Sequence, residues 1–406
     1  MKTNSIEILY IGIHYPQERE KELLRICKGN VSAAHFTFQE NIIKAISKFC
    51  NIDILVSLPL GSFPIMCKKL FAKTNNKYQY KEIGFINFPI VKDILREKKA
   101  KYEMQKWISK QNINDHKFII IYDACIPFIN AAIKVRQKNK KCRVICIVPD
   151  LPGELGIENG KYNTIVSKYL KIKSRCFYKI SKKIDGFIVL TKHMIQAMDV
   201  KEYPYLQLEC IVNIDNRITE IENKENKIFM YAGELSTNVN IDIMIKAFEQ
   251  INLENIQLWI CGTGKMKGYV ERAARANSKI KYLGFIPKKE LYTIQQNVYA
   301  FINPRQNNFE YTKYSFPSKN AEYLKTGKPL ISYKLYGIPD EYDDFIFYPK
   351  DNSIAELKNT IIKVYDIQEN QLFELKDRQI KFMNKHKSID AQGERIYTFL
   401  RGLCDG

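Results

Sequence analysis

Between positions 305 and 322 the sequence gathers groups that can hold an anion: Arg305, Glu310, Lys313, the run Ser315-Phe316-Pro317-Ser318-Lys319, and Glu322. Pro317 suits the first position of a helix, with Ser315 or Phe316 before it as cap. The amides of Ser318 and Lys319 would then point out of the helix start, where the backbone dipole favours negative charge. With Lys319 and Arg305 beside them, they can hold a pyrophosphate. Glu322 stands one turn on, on the face of Ser318 and Lys319. A carboxylate there can accept two hydrogen bonds from vicinal ribose hydroxyls. The same residues also describe a surface helix carrying ordinary charge pairs.

Two glycine turns follow apolar runs: Gly233-Glu234-Leu235-Ser236-Thr237 and Cys261-Gly262-Thr263-Gly264-Lys265. Lacking a Cβ, Gly233, Gly262 and Gly264 let a backbone approach a ligand closely. A purely structural strand-to-helix turn leaves the same signature. Asp150 follows the apolar run Val144–Val148, which puts it at the carboxyl edge of a sheet. It can bind a sugar hydroxyl or position an acceptor there, or serve as a turn residue before Pro152. His14 closes the first apolar run and His35 opens a helix; each reads either as facing a cleft or as packing. The 10 cysteines are scattered without zinc spacing, and clustered Asp and His ligands are absent from the sequence. Reduced thiols and metal-independent, cofactor-free chemistry are the expectation.

The elements that must position these groups alternate. Ile6–Ile13 reads as a strand, Phe38–Cys50 as a helix and Ile52–Leu58 as a strand. Phe118–Tyr122, Val144–Val148 and Gly186–Leu190 are further short apolar runs, with helical patterns such as Pro127–Lys138 between them. Buried runs joined by helices imply a parallel sheet covered on both faces. A polar stretch, Glu202 to Asn226, reads as a linker. The pattern then restarts: strands Ile228–Ala232, Ile256–Cys261, Ile280–Leu283, Tyr299–Asn303 and Pro329–Tyr333, and helices Ile241–Ile251, Val270–Ala276, Lys289–Gln296 and Pro317–Thr326. The tail, Ser353–Val364 and then Gln371 to Leu403, reads as helical throughout.

A chain of 406 residues with 45% hydrophobic residues suits two domains with real cores. No run approaches the ~20 apolar residues that a bilayer span needs. Met1 to Tyr10 lacks the basic flank and apolar core of a signal peptide, so the expected place is the cytosol. Charge is uneven. Residues 1–200 hold 35 basic and 17 acidic side chains, residues 201–406 hold 29 and 27. The basic first half suits a polyanion or an anionic membrane, or is a solvated lysine-rich surface. Within Lys168–Lys183 seven basic residues interleave with Tyr169, Leu170, Ile172, Phe177, Tyr178 and Ile180. On a helix these are apolar anchors beside basic side chains, or core residues whose lysines stay in water. A basic, aromatic-interleaved nucleic-acid motif is missing, so a nucleic-acid partner ranks low.

The second half resembles the retaining glycosyltransferases of family four along nearly its whole length. The resemblance rests on Tyr231-Ala232-Gly233-Glu234-Leu235 with Ile241-Asp242 and Ile245-Lys246-Ala247-Phe248, on Leu258-Trp259-Ile260-Cys261-Gly262-Thr263-Gly264, and on Tyr282-Leu283-Gly284-Phe285-Ile286-Pro287. Glu322-Tyr323-Leu324, with Gly327-Lys328-Pro329-Leu330-Ile331, is similar to their nucleotide-binding helix and the strand after it. Asn303-Pro304-Arg305, Phe316-Pro317-Ser318-Lys319 and Gly337-Ile338-Pro339-Asp340-Glu341-Tyr342 are similar to members from bacterial surface-polysaccharide clusters. The first half resembles the family more weakly, through Asp150-Leu151-Pro152 and Asp185-Gly186-Phe187 with Leu190-Thr191. Two departures stand out. The family often carries two glutamates eight apart, but Tyr314 lies eight before Glu322, so either Glu310 serves instead or nothing does. The usual Arg and Lys after the first strand align with Glu234 and Val239, so diphosphate charge falls to Arg305 and Lys319.

The resemblance implies an α/β GT-B fold: two Rossmann-like, doubly wound parallel-sheet domains facing a central cleft. The domains expected are 1–205 for the acceptor, a linker 206–226, 227–385 for the nucleotide-sugar donor, and a helix 386–406 packing back on the first domain. The resemblance also implies retaining transfer from a nucleoside-diphosphate sugar, UDP favoured, to a glycan or lipid-linked glycan, and the basic first half suits a peripheral place at the inner face of the cell membrane. The backbone of Gly284, Phe285 and Ile286 would read the base, and Glu322 the ribose. Glu310 would touch the donor sugar or phosphate edge. Gly29 and Asn30, with His14 and His35, would line the loop near phosphates and acceptor; an ordinary helix-opening loop reads the same. A nucleotide-sugar epimerase on the same double fold is the alternative.

Overall fold

The computed structural model describes residues 5–27, 33–74, 80–152, 164–214 and 226–404. The chain divides into two compact units, Met1–Ile211 with Ile389–Gly406, and Val212–Ser388.

The first unit holds β1 (Ile6–Ile13), β2 (Asn51–Ser57), β3 (Phe71–Ala72), β4 (Lys81–Glu82), β5 (Phe85–Ile86), β6 (His116–Tyr122), β7 (Cys142–Val148), β8 (Gly186–Val189) and β9 (Tyr205–Gln207). Its helices are α1 (Glu20–Ile26), α2 (Ala33–Ser47), α3 (Val91–Ile108), α4 (Ile126–Arg136), α5 (Thr164–Ser181) and α6 (Lys192–Ala197). Seven strands form one parallel sheet in the order β4-β2-β1-β6-β7-β8-β9, and β3 pairs with β5 antiparallel. Residues 118–121 of β6 have no exposed surface, which is why that strand reads as an unbroken apolar run. The core of this sheet joins Ile8, Ile42, Ile46, Phe118 and Ile120 to Ile396 and Leu400 of the last helix.

The second unit restarts with β10 (Lys227–Ala232), β11 (Ile256–Cys261), β12 (Ile280–Gly284), β13 (Ala300–Asn303), β14 (Leu330–Ser332) and β15 (Ile346–Phe347). Between and after them come α7 (Ile241–Glu249), α8 (Lys267–Ala276), α9 (Lys288–Gln296), α10 (Ser318–Leu324), α11 (Ile354–Tyr365) and α12 (Glu369–Lys387). Its parallel sheet runs β12-β11-β10-β13-β14-β15. Numbered from its own start this is 3-2-1-4-5-6, the Rossmann order, which reverses between β10 and β13. Helix α7 shows why the sequence reads as it does. Ile241, Met244, Ile245 and Phe248, spaced three or four apart, are all buried on the sheet. Each contributes about 1.5–3 kcal/mol by leaving water.

The helical tail is interrupted at Ser388, where the backbone turns extended. Helix α13 (Ile389–Gly402) therefore leaves α12 and returns to the first unit. Gly393 permits the close approach to α2: a Cβ there would sit 2.6 Å from the Ala45 carbonyl oxygen. The polar stretch read as linker begins with structure instead. Tyr205–Gln207 is the edge strand β9, paired with β8, and Leu208, Cys210 and Ile211 are buried. Its later part, 215–225, lies outside the described residues. No helix of the described residues is long and apolar enough to cross a membrane.

Candidate functional site

In doubly wound sheets ligands sit beyond the carboxyl ends of the strands where the order reverses. In the second unit that point lies between β10 and β13, and the glycine turns and Arg305 follow these strands or their neighbour. The turns are tied to one another. The Gly233 amide donates to the Cys261 carbonyl (3.0 Å), the Leu235 amide to Thr263 (2.9 Å), and the Gly262 amide to Gly284 (2.8 Å). The Tyr282 hydroxyl adds a bond to the Gly262 carbonyl at 2.8 Å. Gly262 has φ +136°, and a Cβ there would lie 1.8 Å from the Gly233 carbonyl oxygen. Any side chain would force the turns apart, so the residue type is dictated by packing as well as by conformation. Gly264 stands in the same turn. Phe285 is 72% exposed beside Gly284, and Ile286 is half-buried.

Helix α10 carries the charged groups. It starts at Ser318 with Pro317 as its N-cap, one residue later than Pro317 at the first helical position would give, and no side chain caps it. Lys319 donates to Glu322 at 2.9 Å, with both side chains about one-third exposed (32% and 34%). Such a pair is worth a few tenths of a kcal/mol, so it opens readily for a ligand. Arg305 is oriented twice. It donates to Ser315 Oγ at 3.0 Å, and its guanidinium lies over the Tyr311 ring, 5.2 Å from the centroid. Glu310 is 60% exposed and pairs with Lys313 at 3.3 Å, on a short 3-10 turn whose Tyr311 and Thr312 are buried.

Two residues to which the sequence reading gave no role of their own hold this helix in place. The Tyr323 hydroxyl accepts from the Ala232 amide (3.0 Å) and lies 3.3 Å from the Ala232 carbonyl, directly before Gly233. Its ring stacks on Phe301 with centroids 4.2 Å apart. Asn320 has no exposed surface; it accepts from Asn303 at 2.7 Å and donates to Ser332 Oγ at 3.2 Å, joining α10 to β13 and β14. Both lie one position from residues that were singled out, and their periodicity on a seven-residue helix is the only signal the sequence offers.

In the first unit the order reverses between β1 and β6. His35 Nε2 lies 2.9 Å from Asp150 Oδ2, so the structure brings together two expected site residues that are 115 positions apart. That hydrogen bond raises the His35 pKa above its ordinary value against the effect of burial, and the charges of Asp150 and Asp123 add to the rise. Asp123 was not anticipated. It follows β6 with φ +70°, its carboxylate accepts from the Ala124 amide at 2.7 Å, and burial raises its pKa. The neighbouring Tyr122 places its ring edge-on to His35 at 6.3 Å. The three groups could bind hydroxyls of a polar ligand as donor and acceptors.

His14 does not stand open. It is 1% exposed, 2.6 Å from Glu40, and packed at 4.8 Å against Phe36. Tyr80 donates to the same Glu40 at 2.8 Å, and although burial pushes that carboxyl up, the two hydrogen bonds hold its pKa below the ordinary value. Packing is therefore the reading that the structure takes for His14. Gly29 and Asn30 lie outside the described residues.

Residues 213–385 match the sequence model of the family described as Glycosyl transferases group 1. No curated protein matches the chain. Several solved structures are similar in fold. A sucrose-phosphate synthase from Thermosynechococcus elongatus shares 12% identity over 98% of each chain, with a TM-score of 0.65. The apo form of the lipopolysaccharide outer core galactosyltransferase WaaB shares 16% identity over 93% of this chain and 98% of its own, with a TM-score of 0.58. A UDP-forming α,α-trehalose-phosphate synthase from Burkholderia xenovorans, in complex with glucose-6-phosphate, shares 10% identity over 98% of this chain and 100% of its own, with a TM-score of 0.62. The two Rossmann-like units are those of the GT-B architecture.

Proposed function

We propose that this chain, whose residues 213–385 match the glycosyltransferase group 1 family, moves a sugar from a nucleoside-diphosphate sugar to a hydroxyl of a glycan or lipid-linked glycan, with retention at the anomeric carbon. The observation that carries the reading is the arrangement within residues 213–385: interlocked glycine turns at the carboxyl edge of a Rossmann-order sheet, followed by an oriented Arg305 and the Lys319–Glu322 pair. Lys319, Arg305 and the amides of Ser318 and Lys319 meet the growing charge of the leaving diphosphate, the interaction that most accelerates such a transfer. Glu322 accepts from the ribose, and the backbone of Gly284 to Ile286 takes the base. Glu310 touches the donor sugar or phosphate edge. His35 and Asp150, with Asp123, bind hydroxyls of the acceptor.

UDP is the favoured carrier, because one similar structure is a UDP-forming synthase and another, TarM of S. aureus, is described in complex with UDP. Surface-polysaccharide synthesis, with a cytoplasmic enzyme resting on the inner face of the cell membrane, is the setting that the lipid-linked acceptor and the basic first half favour. Neither a metal nor another cofactor enters this reading. Calorimetry with UDP, GDP, ADP and CMP tests the donor site, and incubation with the matching sugar nucleotides and a glycan tests the reaction. Release of nucleoside diphosphate with a lengthened glycan is the expected result. A new sugar nucleotide without diphosphate release would replace transfer by epimerisation.

A further inference from the structure

The first unit exposes large apolar side chains that its core does not use. Ile65 (73% exposed), Phe71, Ile86, Phe88, Ile90 (70% exposed) and Ile94 all fall within 30 residues of one another in sequence. They are also neighbours in space, because one buried side chain stitches their segments together. Asn87, which has no exposed surface, donates to the Gly61 carbonyl (2.7 Å) and the Lys69 carbonyl (3.2 Å). Its amide donates to Leu70 at 2.6 Å, and its carbonyl accepts from Phe63 at 3.0 Å. The β3–β5 pair shows the two-sidedness directly. Phe71 is opposite Ile86 and both face outward, while Ala72 is opposite Phe85 and both are buried.

Ile90 is held at φ +65°, a region that a β-branched residue rarely enters, at the position that caps α3. Strain of this kind persists where the surroundings impose it and marks places of function. Next to it, Asp93 in the first turn of α3 pairs with Lys173 of α5 at 3.5 Å, and Lys173 lies 5.0 Å over the Tyr169 ring. Helix α5 thus joins the same region. Its Phe177 turns into the core, whereas Tyr169 and Ile172 are exposed. Lys68, Lys69 and Lys73 of the same segment are exposed, Lys69 while paired with Glu22 at 3.0 Å, and so are Lys168, Lys171 and Arg175 of α5.

We infer that residues 65–74 and 80–94, together with the outer face of α5, form a docking surface for an anionic lipid bilayer. An exposed apolar patch rimmed by polar side chains marks an interaction site. Its occupant is selected by charge: exposed Ile and Phe side chains inside a rim of lysines suit an interface of acyl chains under anionic headgroups. The surplus of basic residues in positions 1–200, 35 against 17 acidic, carries the same sign beyond the patch. The inference gives a location to the membrane attachment in the proposed function, and its test does not depend on which sugar or nucleotide the chain uses.

Co-sedimentation of the full chain with vesicles supplies the test. Vesicles of equal phosphatidylcholine and phosphatidylglycerol should bind the chain at least tenfold more tightly than pure phosphatidylcholine, and raising the salt should weaken binding. Ile65→Ser/Phe71→Ser/Ile90→Asn should lose at least tenfold, with thermal unfolding read on the same variant to show that the fold is kept. Ile65→Ser alone is the milder variant and should lose a few-fold. Phe373→Ser, which alters an equally exposed residue (72%) of the second unit, should change nothing. Full binding by the triple variant, or equal binding to neutral and anionic vesicles, overturns the inference. Concentration-dependent self-association abolished by the triple variant, without vesicle binding, would assign the surface to a second copy of the chain instead. Nucleotide affinity, read on the same variants, reports separately on the donor site.

Discussion

Lys319 holds Glu322 at 2.9 Å along one face of α10, a helix fixed to the sheet by Tyr323 and Asn320. Both side chains are about one-third exposed, so in the proposed function a diphosphate draws the ammonium away at little cost and leaves the carboxylate to the ribose. Glu322→Ala should weaken nucleotide binding by about 1.5–3 kcal/mol, the range for hydrogen bonds to a charged acceptor. Calorimetry measures it. Unchanged affinity in a folded variant would remove Glu322 from the donor site.

In the proposed transfer, Arg305 and Lys319 separate binding from chemistry. Charge on the diphosphate grows in the transition state, so Arg305→Ala and Lys319→Ala should depress turnover more than donor affinity. Arg305 is pre-oriented by Ser315 and Tyr311, so Ser315→Ala should reproduce part of the Arg305 defect. Steady-state kcat and KM values for the three variants check this. Full turnover in both charge variants would hand the diphosphate to another group.

The strands that were legible are those buried on both faces, such as Phe118 to Ile121, because sheet burial leaves an uninterrupted apolar run. Helix α3 was not legible: among its eighteen residues only Arg96, Ala100, Met104 and Trp107 are buried, so lysines hide its periodicity. The strand β9 was read as linker because Glu202, Pro204 and Glu209 surround three residues of pairing. In the candidate site, residue types pointed to Arg305, Lys319 and Glu322, which the structure sets on or beside α10. The His35–Asp150 contact and the entry of Asp123 depend on three elements meeting at one sheet edge, which no local pattern encodes.

The glycine turns make a prediction of contrast. Gly262→Ala places a Cβ 1.8 Å from a backbone oxygen, so the Gly233 and Gly262 turns must separate. Gly284 also has positive φ, +72°, but a Cβ there meets nothing within 4 Å. Gly284→Ala should therefore cost only the conformational term, about 1–2 kcal/mol, with the donor site kept. Gly262→Ala should cost more and abolish nucleotide binding. Denaturant unfolding and calorimetry compare the two; equal losses would mean that the contact between the turns is not what Gly262 provides.

The last prediction concerns protonation at the edge of the first sheet. His35 has its pKa raised, first by the hydrogen bond to Asp150, against burial, and further by the charges of Asp150 and Asp123. A histidine whose folded value lies above its ordinary one stabilises the fold fully below that ordinary value, about 6.5, and loses the contribution as pH climbs through the raised value. The His35 ring should therefore titrate above the ordinary value in NMR spectra of the full chain. Asp150→Asn should lower it most, and Asp123→Asn should lower it less, because Asp123 acts only at a distance and is itself pushed toward neutrality by burial. The charge of Lys173 lowers the Asp123 pKa, so Lys173→Met should leave the Asp123 carboxyl further above its ordinary value. The stability difference between the wild type and His35→Gln should be largest in mild acid and shrink toward alkaline pH. A His35 ring that titrates at or below its ordinary value, or that ignores Asp150→Asn, would show that the 2.9 Å contact is not an ion pair in solution, and acceptor binding through it would have to be abandoned.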